Sequence, residues 1–444
     1  MQWHTRSERL AWTFQNRLRE LARHALVQNA IALSAAQAGT YVLPLVTIPY
    51  LARVLGVAGW GLVAFAQAFG AYVGLAVEYG FVYSATREIA RHRGDKERLT
   101  EITAGVLGAK GLLSVGAVAV GIGASWWVPV FHSNPDLLWA GTFSAVAQAF
   151  SMLWFFQGLE RMKFVAALDF STKAAATIGI FALVKIPADG WKVLALQGVA
   201  ACVSFLAALA VAYQYVEFRA PRWRSVWNAL RTGWSMFLFR GSVSLYTVGN
   251  AFILGLFVPP QFVGYYAGAE KISRAFLMLL NPVTQTLFPR LSHLIHREKE
   301  RAAQLARISL AVMASGGVMM GAAMFFLAPA IVRVILGHEY GPAVPVLRIL
   351  ALLPPLIAVS NVFGIQWMLP LGIDRAFNTI IVIAGVINMG LAVAFAPVLR
   401  AEGMAWAVVL AEIFVSAAMY VLLRRRRLDP MSATFAVTSE SAPV

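Results

Sequence analysis

The strongest constraint on the fold of this chain is a series of about twelve apolar segments, each long enough to cross a bilayer as a helix of about 20 residues. Short stretches that hold most of the charge separate these segments. We predict an all-α polytopic membrane protein, because a segment inside lipid must satisfy its backbone hydrogen bonds internally. The predicted spans cover residues 29–52, 58–80, 103–129, 138–158, 163–185, 191–215, 233–257, 261–288, 305–327, 343–370, 376–397 and 402–423.

The charge composition favours the same fold class. Charged residues make up only 13% of the 444 residues, whereas a soluble domain has about 25%. The net charge of +16 would suggest nucleic acid in a soluble protein. Here the basic residues occupy the gaps between spans, which is typical of membrane topology. We therefore expect membrane lipids, and no nucleic acid, as partners.

The distribution of Lys and Arg predicts the orientation of the spans. If the N-terminus is inside, the inner segments hold 26 of the 37 Lys and Arg residues, the outer segments five and the spans six. Because cytoplasmic segments carry the excess of positive charge, both termini are predicted to be cytoplasmic. Residues 1–28 are expected to form an amphipathic cytoplasmic segment, and residues 424–444 a basic and then disordered cytoplasmic tail.

Two weak internal echoes predict that the spans form two related lobes. Leu55–Ala66 resembles Val258–Ala269, and Asp189–Trp191 resembles Glu402–Met404 at a similar offset. Six spans in each lobe make the repeat parallel, with a cleft between the lobes where transporters of this build bind substrate. The predicted N-lobe is 29–215, the basic cytoplasmic linker is 216–232 and the C-lobe is 233–423.

Ionisable residues within the spans are the candidate functional residues. An isolated charge at the centre of a span costs about 3 kcal/mol, so these side chains must form pairs or line a wet cavity rather than face lipid. The set that we consider is Lys110, Asp169, Lys173, Arg240, Glu270, Lys271, Arg274 and Glu412.

The spacing of these residues predicts which charges neutralise each other. Asp169 and Lys173 are four residues apart, as are Glu270 and Arg274, so each pair lies on one helix face. The remaining charges are mostly positive, which favours a cavity for an anionic substrate. The predicted substrate-binding residues are Arg240, Lys271, Arg274, Lys110 and Lys173, and the predicted coupling or salt-bridge residues are Asp169, Glu270 and Glu412. For each residue the alternative is a structural salt bridge between helices.

Missing motifs argue against an enzyme. The sequence contains no G-x-x-x-x-G-K-[ST] motif for nucleotide phosphates. His293 and His296 form an isolated H-x-x-H without the pattern of a metalloprotease, and Cys202 is the only cysteine. We therefore expect no catalytic residues, no cofactor and no metal.

Several motifs resemble those of bacterial polysaccharide flippases, the O-antigen (Wzx-type) transporters. The similar segments are Pro49–Gly56, Glu78–Phe81 and Ser84–Ala90 in the N-lobe, with Gly264–Ile272 and Phe288–Ser292 in the C-lobe. The resemblance covers residues 29 to 423 and implies the fold of multidrug-and-toxin extrusion (MATE) transporters, with two six-helix bundles.

The same resemblance implies a function. It implies a multi-pass protein of the bacterial inner membrane that moves an undecaprenyl-pyrophosphate-linked oligosaccharide to the outer leaflet for O-antigen or exopolysaccharide assembly, with the polysaccharide polymerase machinery as a further partner. A pyrophosphate is anionic and pairs well with Lys or Arg, which agrees with the surplus of positive charge.

Three alternatives to a polysaccharide flippase remain open. A multidrug antiporter of the same fold would export cations and should prefer an acidic cavity. A lipid II flippase resembles this build but usually has two further spans. A membrane glycosyltransferase or polymerase would need a long outer loop with polar catalytic residues, and the longest outer loop predicted here is residues 328–342.

Overall fold

The computed structural model describes Leu43 and residues 46–431, except for the side chains of residues 239, 240, 242, 243 and 245–247. All regular structure in these residues is helical. The predicted amphipathic segment 1–28, most of the predicted span 29–52 and residues 432–444 of the predicted tail lie outside the described residues. The helices are α1 (Val46–Arg91), α2 (Lys96–Trp127), α3 (Pro129–Ser133), α4 (Pro135–Ala149), α5 (Leu153–Gly158), α6 (Met162–Leu183), α7 (Gly190–Ala212), α8 (Trp223–Thr247), α9 (Asn250–Gly255), α10 (Pro260–Met278), α11 (Asn281–Leu294), α12 (Lys299–Ile335), α13 (Ala343–Leu350), α14 (Leu353–Asn361) and α15 (Asp374–Arg425), with 3₁₀ turns at Pro187–Asp189 and His338–Tyr340 and a π-helix at Val362–Met368.

Eight helices in the described part of the chain are long and apolar enough to cross a membrane, by length and composition. Their bounds are Val46–Arg91, Lys96–Trp127, Pro135–Gly158, Met162–Leu183, Pro187–Ala212, Lys299–Ile335, Ala343–Met368 and Asp374–Arg425. The predicted spans 233–257 and 261–288 are absent from this set. Each is divided between two helices, and the longer of the two, α8 or α10, is long enough but not apolar enough to qualify. The predicted spans 376–397 and 402–423 both fall within α15.

Two of the long helices contain a break in their backbone. Arg400 in α15 has a left-handed φ of 54°. A Cβ added to Gly403 would lie 2.5 Å from the carbonyl oxygen of Phe395, although eight residues of straight helix would span about 12 Å. The chain therefore reverses at Arg400, and α15 consists of two antiparallel helices.

The break in α1 occurs at Gly56, whose φ of 66° is also left-handed. Thr47 and Gln67 line the same cavity, yet twenty residues of straight helix would separate them by about 30 Å. The chain must therefore turn sharply between them, and glycine adopts this conformation without a steric penalty. Both turns join consecutive predicted spans, which explains why eight long helices hold more than eight predicted spans.

The outside of the helix assembly is apolar. The most apolar stretch of 18 residues in α12 has a mean hydropathy of 2.1, but only 22% of this stretch is buried inside the protein. Large apolar side chains such as Val115, Trp126, Met319 and Phe326 are exposed. A soluble protein does not expose so large an apolar surface, so this surface is suited to lipid.

Three main groups of buried side chains form the interior. One, around Phe81 and Trp154, joins α1, α2 and α5–α8. A second, around Trp367 and Met419, joins α11, α12, the π-helix and α15. The largest group contains residues from both halves of the chain, including Leu55 and Tyr266. The two halves are therefore packed against each other over part of their length.

The predicted linker 216–232 is partly helical, because α8 begins at Trp223. The segment before it is attached to the start of α2. The backbone N–H of Glu217 donates to Thr100 Oγ1 at 3.1 Å, and Lys96 Nζ lies 2.9 Å from the Glu217 carboxylate. The hydrogen bond that Lys96 Nζ donates to this carboxylate, together with the positive charge of Lys96, lowers the pKa of Glu217 from its ordinary value of 4.5.

At one end of the molecule the two halves are in direct backbone contact. A Cβ added to Gly61 of α1 would lie 1.9 Å from the carbonyl oxygen of Pro260, and one added to Gly264 of α10 would lie 2.1 Å from that of Val57. Only glycine allows so close an approach of two helices. We call this contact the glycine seam.

Side chains reinforce the glycine seam. Arg53 Nη2 donates to the carbonyl oxygen of Val334 at 2.5 Å. The Tyr340 hydroxyl lies 3.3 Å from the carbonyl oxygen of Ala52 and 3.4 Å from that of Gly56. The molecule is therefore closed at this end.

Candidate functional site

A cavity of about 500 Å³ lies among α1, α4–α7 and α10. Five of these helices belong to the first half of the chain, and α10 contributes Lys271 from the second half. In membrane proteins built from helices of this length, a polar cavity among the helices is the usual place for a ligand to bind. Its polar and charged lining residues are Thr47, Trp60, Gln67, Gln148, Ser151, Asp169, Thr172, Lys173, Thr177, Gln197, Ser204 and Lys271.

Two of the predicted site residues form an ion pair at the cavity wall. Lys173 Nζ lies 2.7 Å from Asp169 Oδ2 on the same face of α6, as their spacing of four residues predicts. The two side chains are 40% and 42% exposed, so they face the open space of the cavity. An ion pair of this kind contributes a few tenths of a kcal/mol and leaves no net charge.

Lys271 has a different environment in the same cavity. Its Nζ atom donates to Gln67 Oε1 at 3.2 Å and lies 5.1 Å from the centre of the Trp60 ring. Among the described residues no carboxylate lies within ion-pair distance of it. An amide and an aromatic ring hold the cation in place, but neither neutralises its charge. The cavity therefore carries one surplus positive charge, at Lys271.

A second cavity, of about 460 Å³, adjoins the first. The two share Gln67, Gln148 and Gln197 as lining residues. The second cavity continues along α1 to Glu78 and reaches Ser244 of α8. A two-residue turn, Tyr79–Gly80, precedes the last section of α1, Phe81–Arg91. At this turn the Glu78 carboxylate accepts the backbone N–H groups of Gly80 and Val82, at 3.2 and 2.8 Å.

Lys110 is placed behind the cavity wall rather than in it. Its side chain is 1% exposed, and Nζ donates to the carbonyl oxygen of Ala149 at 2.7 Å and lies 3.4 Å from that of Ser151. Ala149 is the last residue of α4. The last carbonyls of a helix have no partner within the helix, and a cation there is favourable. The contacts of Lys110 thus cap α4.

The remaining predicted residues also lie outside the lining of the first cavity. Arg274 Nη2 is 2.9 Å from Glu270 Oε1 on α10, which is the pair that their spacing predicts. The Glu412 carboxylate is buried and accepts a hydrogen bond from Ser360 Oγ at 2.6 Å, which joins α15 to α14. Arg240 is in α8, and its side chain lies outside the described residues.

The three glutamines of the cavity were not among the predicted site residues. Gln67, Gln148 and Gln197 lie in three different predicted spans, and a search for charges alone does not select them. An amide in the middle of an apolar segment is a weaker form of the same signal, because it too needs hydrogen-bond partners inside the membrane. The structure brings all three to one wall.

Solved structures share this arrangement of helices. A multidrug resistance MATE family transporter of the MOP superfamily, in its inward-facing conformation, matches with a TM-score of 0.65 over 91% of this chain and 100% of its own, at 15% identity. The lipid II flippase MurJ, in an inward closed conformation, matches with a TM-score of 0.66 over 93% of this chain and 94% of its own, at 12% identity. The fold is that of the MATE-like membrane transporters.

Sequence comparison defines the family. Residues 26–295 match the family described as "Polysaccharide biosynthesis protein", and the chain belongs to that family. The "Putative O-antigen transporter" of Escherichia coli (strain K12) is 30% identical over 91% of this chain and 98% of its own length. A protein of the same name from Shigella dysenteriae is 28% identical over 87% of this chain and 97% of its own. The resemblance that Pro49–Gly56 and Gly264–Ile272 indicate is confirmed.

Proposed function

We propose that this protein is a flippase for lipid-linked oligosaccharides. It moves an undecaprenyl-pyrophosphate-linked repeat unit from the cytoplasmic to the outer leaflet of the bacterial inner membrane, for O-antigen or exopolysaccharide assembly. The observation that carries this proposal is the surplus positive charge that Lys271, from the second half of the chain, brings into a polar cavity lined otherwise by the first half. The names of the relatives, with their near-complete coverage of this chain, support the same substrate class.

The chemistry of Lys271 suits a pyrophosphate. Its present acceptor, the neutral Gln67 amide oxygen at 3.2 Å, is a weaker partner than a charged phosphate oxygen, because a phosphate adds the attraction of opposite charges to the hydrogen bond. A phosphate can therefore displace the Gln67 amide from Lys271. Lys173 lies on the same cavity and adds a second cation, although Asp169 pairs with it.

The same surplus charge argues against an antiporter for cationic drugs. A cation in this cavity would meet Lys271 and a Lys173–Asp169 pair that carries no net charge. Export of cations would instead require an acidic lining. Binding of a cationic dye in preference to a pyrophosphate lipid would favour the antiporter.

We further propose twelve spans with both termini in the cytoplasm. The unequal distribution of Lys and Arg supports this topology, and it places the glycine seam on the outer side of the membrane. The closed end is then the outer gate, and the repeat unit enters from the cytoplasmic side. Alternating access would require the contacts of Arg53 and Tyr340 to break when the outer side opens.

The topology has its own test. In a Cys202→Ala background, an impermeant maleimide added outside the cell should label a cysteine that replaces Asn134 or Val398. It should not label one that replaces Gly94 or Ala436. Labelling in the opposite pattern would show that the orientation is reversed.

The transport role is tested with Lys271→Ala. The gene is deleted in its host, and the variants are expressed at matched abundance in the membrane. Loss of one charge-assisted hydrogen bond to phosphate is worth about 1.5–3 kcal/mol, so transport should fall about 10- to 150-fold. The measurements are surface polysaccharide and lipid-linked repeat units that accumulate on the cytoplasmic face. Lys271→Arg keeps the charge and should retain part of the activity.

Lys299→Ala is the matched control, because Lys299 is an exposed lysine at the start of α12. It should transport normally. Normal transport by Lys271→Ala at normal abundance would show that the cation does not bind the substrate. Normal surface polysaccharide after deletion of the gene would contradict the flippase function itself.

A further inference from the structure

Three glutamines form a polar wall that the two cavities share. Gln67 comes from α1, Gln148 from α4 and Gln197 from α7, and each lines both cavities. Gln148 is exposed even though it lies in a helix of membrane length. An exposed amide there faces the water of the cavities, since a lipid-facing amide would lack hydrogen-bond partners.

The described hydrogen bonds use only part of what these amides offer. Each glutamine side chain has two N–H donors and an oxygen with two lone pairs. Gln67 accepts from Lys271, and its Nε2 atom lies 3.5 Å from Gln197 Oε1. Gln148 Nε2 donates to Ser144 Oγ at 2.9 Å. Most of the donors and acceptors of Gln148 and Gln197 thus remain available to a bound molecule.

The wall begins at the surplus cation. Gln67 contacts both Lys271 and Gln197, so the order along the wall is cation, first amide, second amide. In a lipid-linked oligosaccharide the pyrophosphate is bonded directly to the first sugar. A protein that holds this pyrophosphate at Lys271 must therefore place the first sugars beside Gln67 and its neighbours.

The second cavity leaves room for the sugars that follow. Its volume is about 460 Å³, and its lining includes Gln148 and Gln197 beside Gly70, Gly74 and Gly141, where α1 and α4 pack closely. Sugar hydroxyls both donate and accept hydrogen bonds, and an amide matches them in both roles. A wall of amides beside small residues is therefore suited to a neutral polar chain.

We infer that Gln67, Gln148 and Gln197 form a sugar-binding wall that recognises the first sugars of the repeat unit, next to the pyrophosphate held by Lys271. This inference rests on the proposed function, because the position of the pyrophosphate sets the position of the sugars. The wall separates two tasks within one cavity. Lys271 binds the phosphate that every lipid-linked substrate contains, and the amides provide the contacts that depend on the sugar.

The test measures the binding of two probes to the full-length protein in lipid nanodiscs. The probes are undecaprenyl pyrophosphate and undecaprenyl-pyrophosphoryl-N-acetylglucosamine, which differ by one sugar. The native protein should bind the glycosylated probe more tightly. In the double variant Gln148→Met, Gln197→Met the side chains keep a similar length but lose their hydrogen bonds. Each lost hydrogen bond should weaken binding of the glycosylated probe about three- to tenfold, and binding of the bare lipid should not change.

Further variants separate the wall from the rest of the site. Gln304→Met changes an exposed glutamine of α12 that lines neither cavity, and it should bind both probes as the native protein does. Lys271→Ala should weaken both probes to the same extent. Unchanged binding of the bare lipid by the double variant also shows that this variant is folded.

The outcomes separate the sugar-binding wall from the proposed function. If the double variant keeps the native preference for the glycosylated probe, or if the native protein has no such preference, the wall does not bind sugar, while the flippase proposal stands. If the native protein binds neither probe, the proposed substrate class is wrong and this inference falls with it.

Discussion

The glycine seam allows a quantitative prediction, because its geometry leaves no space for a side chain. In Gly61→Ala the new Cβ would lie 1.9 Å from the carbonyl oxygen of Pro260 and 2.8 Å from the backbone nitrogen of Gly264. Both neighbours are backbone atoms and cannot move away by a change of rotamer. Since ordinary van der Waals contact begins at 3.4 Å, α1 and α10 must separate locally by about 1.5 Å.

The energetic cost of this separation falls on the closed state alone. Overpacking of a close contact costs about 1–3 kcal/mol. A molecule that is open at the outer end lacks this contact and is not destabilised. A difference of about 1–3 kcal/mol between two states shifts their ratio about 5- to 150-fold. Gly61→Ala should therefore increase the fraction of molecules that are open at this end by that factor.

Cysteine accessibility measures this shift. Val57→Cys, in a Cys202→Ser background, places a thiol against Gly264 within the seam. Its reaction rate with an impermeant maleimide from outside should rise about 5- to 150-fold when Gly61→Ala is added. The control is Gly116→Ala, since a Cβ at Gly116 meets no atom within 4 Å. An unchanged rate in the Gly61→Ala protein, at normal abundance, would refute the assignment of the seam as a gate.

Three other changes test single contacts. Lys110→Met removes the donor to the carbonyl of Ala149 and should lower the free energy of unfolding by about 1–3 kcal/mol, measured by thermal unfolding in nanodiscs; an unchanged midpoint would exclude a capping role. Glu412→Gln keeps the acceptor for Ser360, so the fold should persist. If this buried carboxylate carries a proton during transport, transport by the reconstituted native protein should respond to an imposed pH gradient, and transport by the variant should not. A native protein that is indifferent to the gradient would exclude this proton role. Because Lys96 lowers the pKa of Glu217 below 4.5, this ion pair stabilises the fold above pH 4.5, and the stabilisation is lost as the pH falls through the lowered pKa. Lys96→Met should remove this acid dependence from the thermal unfolding midpoint. The same acid dependence in the variant would show that the pair is too exposed to contribute to stability.

The sequence alone determines the fold class because the controlling property is local. Whether a segment of about 20 residues is apolar enough for lipid depends on that segment and not on its neighbours. The ion pairs Asp169–Lys173 and Glu270–Arg274 could be predicted for the same reason, since four residues of helix place two side chains on one face.

The long helices show where local information ends. The predicted spans 376–397 and 402–423 form antiparallel arms of a single helical segment because of one left-handed residue, Arg400. The predicted spans 233–257 and 261–288 are each broken. A break of this kind is energetically permitted when neighbouring helices satisfy the freed backbone groups, and those neighbours are known only once the chain is folded.

The roles of the intramembrane lysines were decided by tertiary structure. Lys110 and Lys271 are the same residue type within predicted spans, and both are predicted from the sequence to bind substrate. In the fold, Lys110 reaches the last carbonyl of α4, whereas Lys271 meets the amide of Gln67 across the boundary between the two halves. The partner that satisfies a buried charge comes from another helix, so only the packing of helices decides whether a lysine supports the structure or faces a ligand.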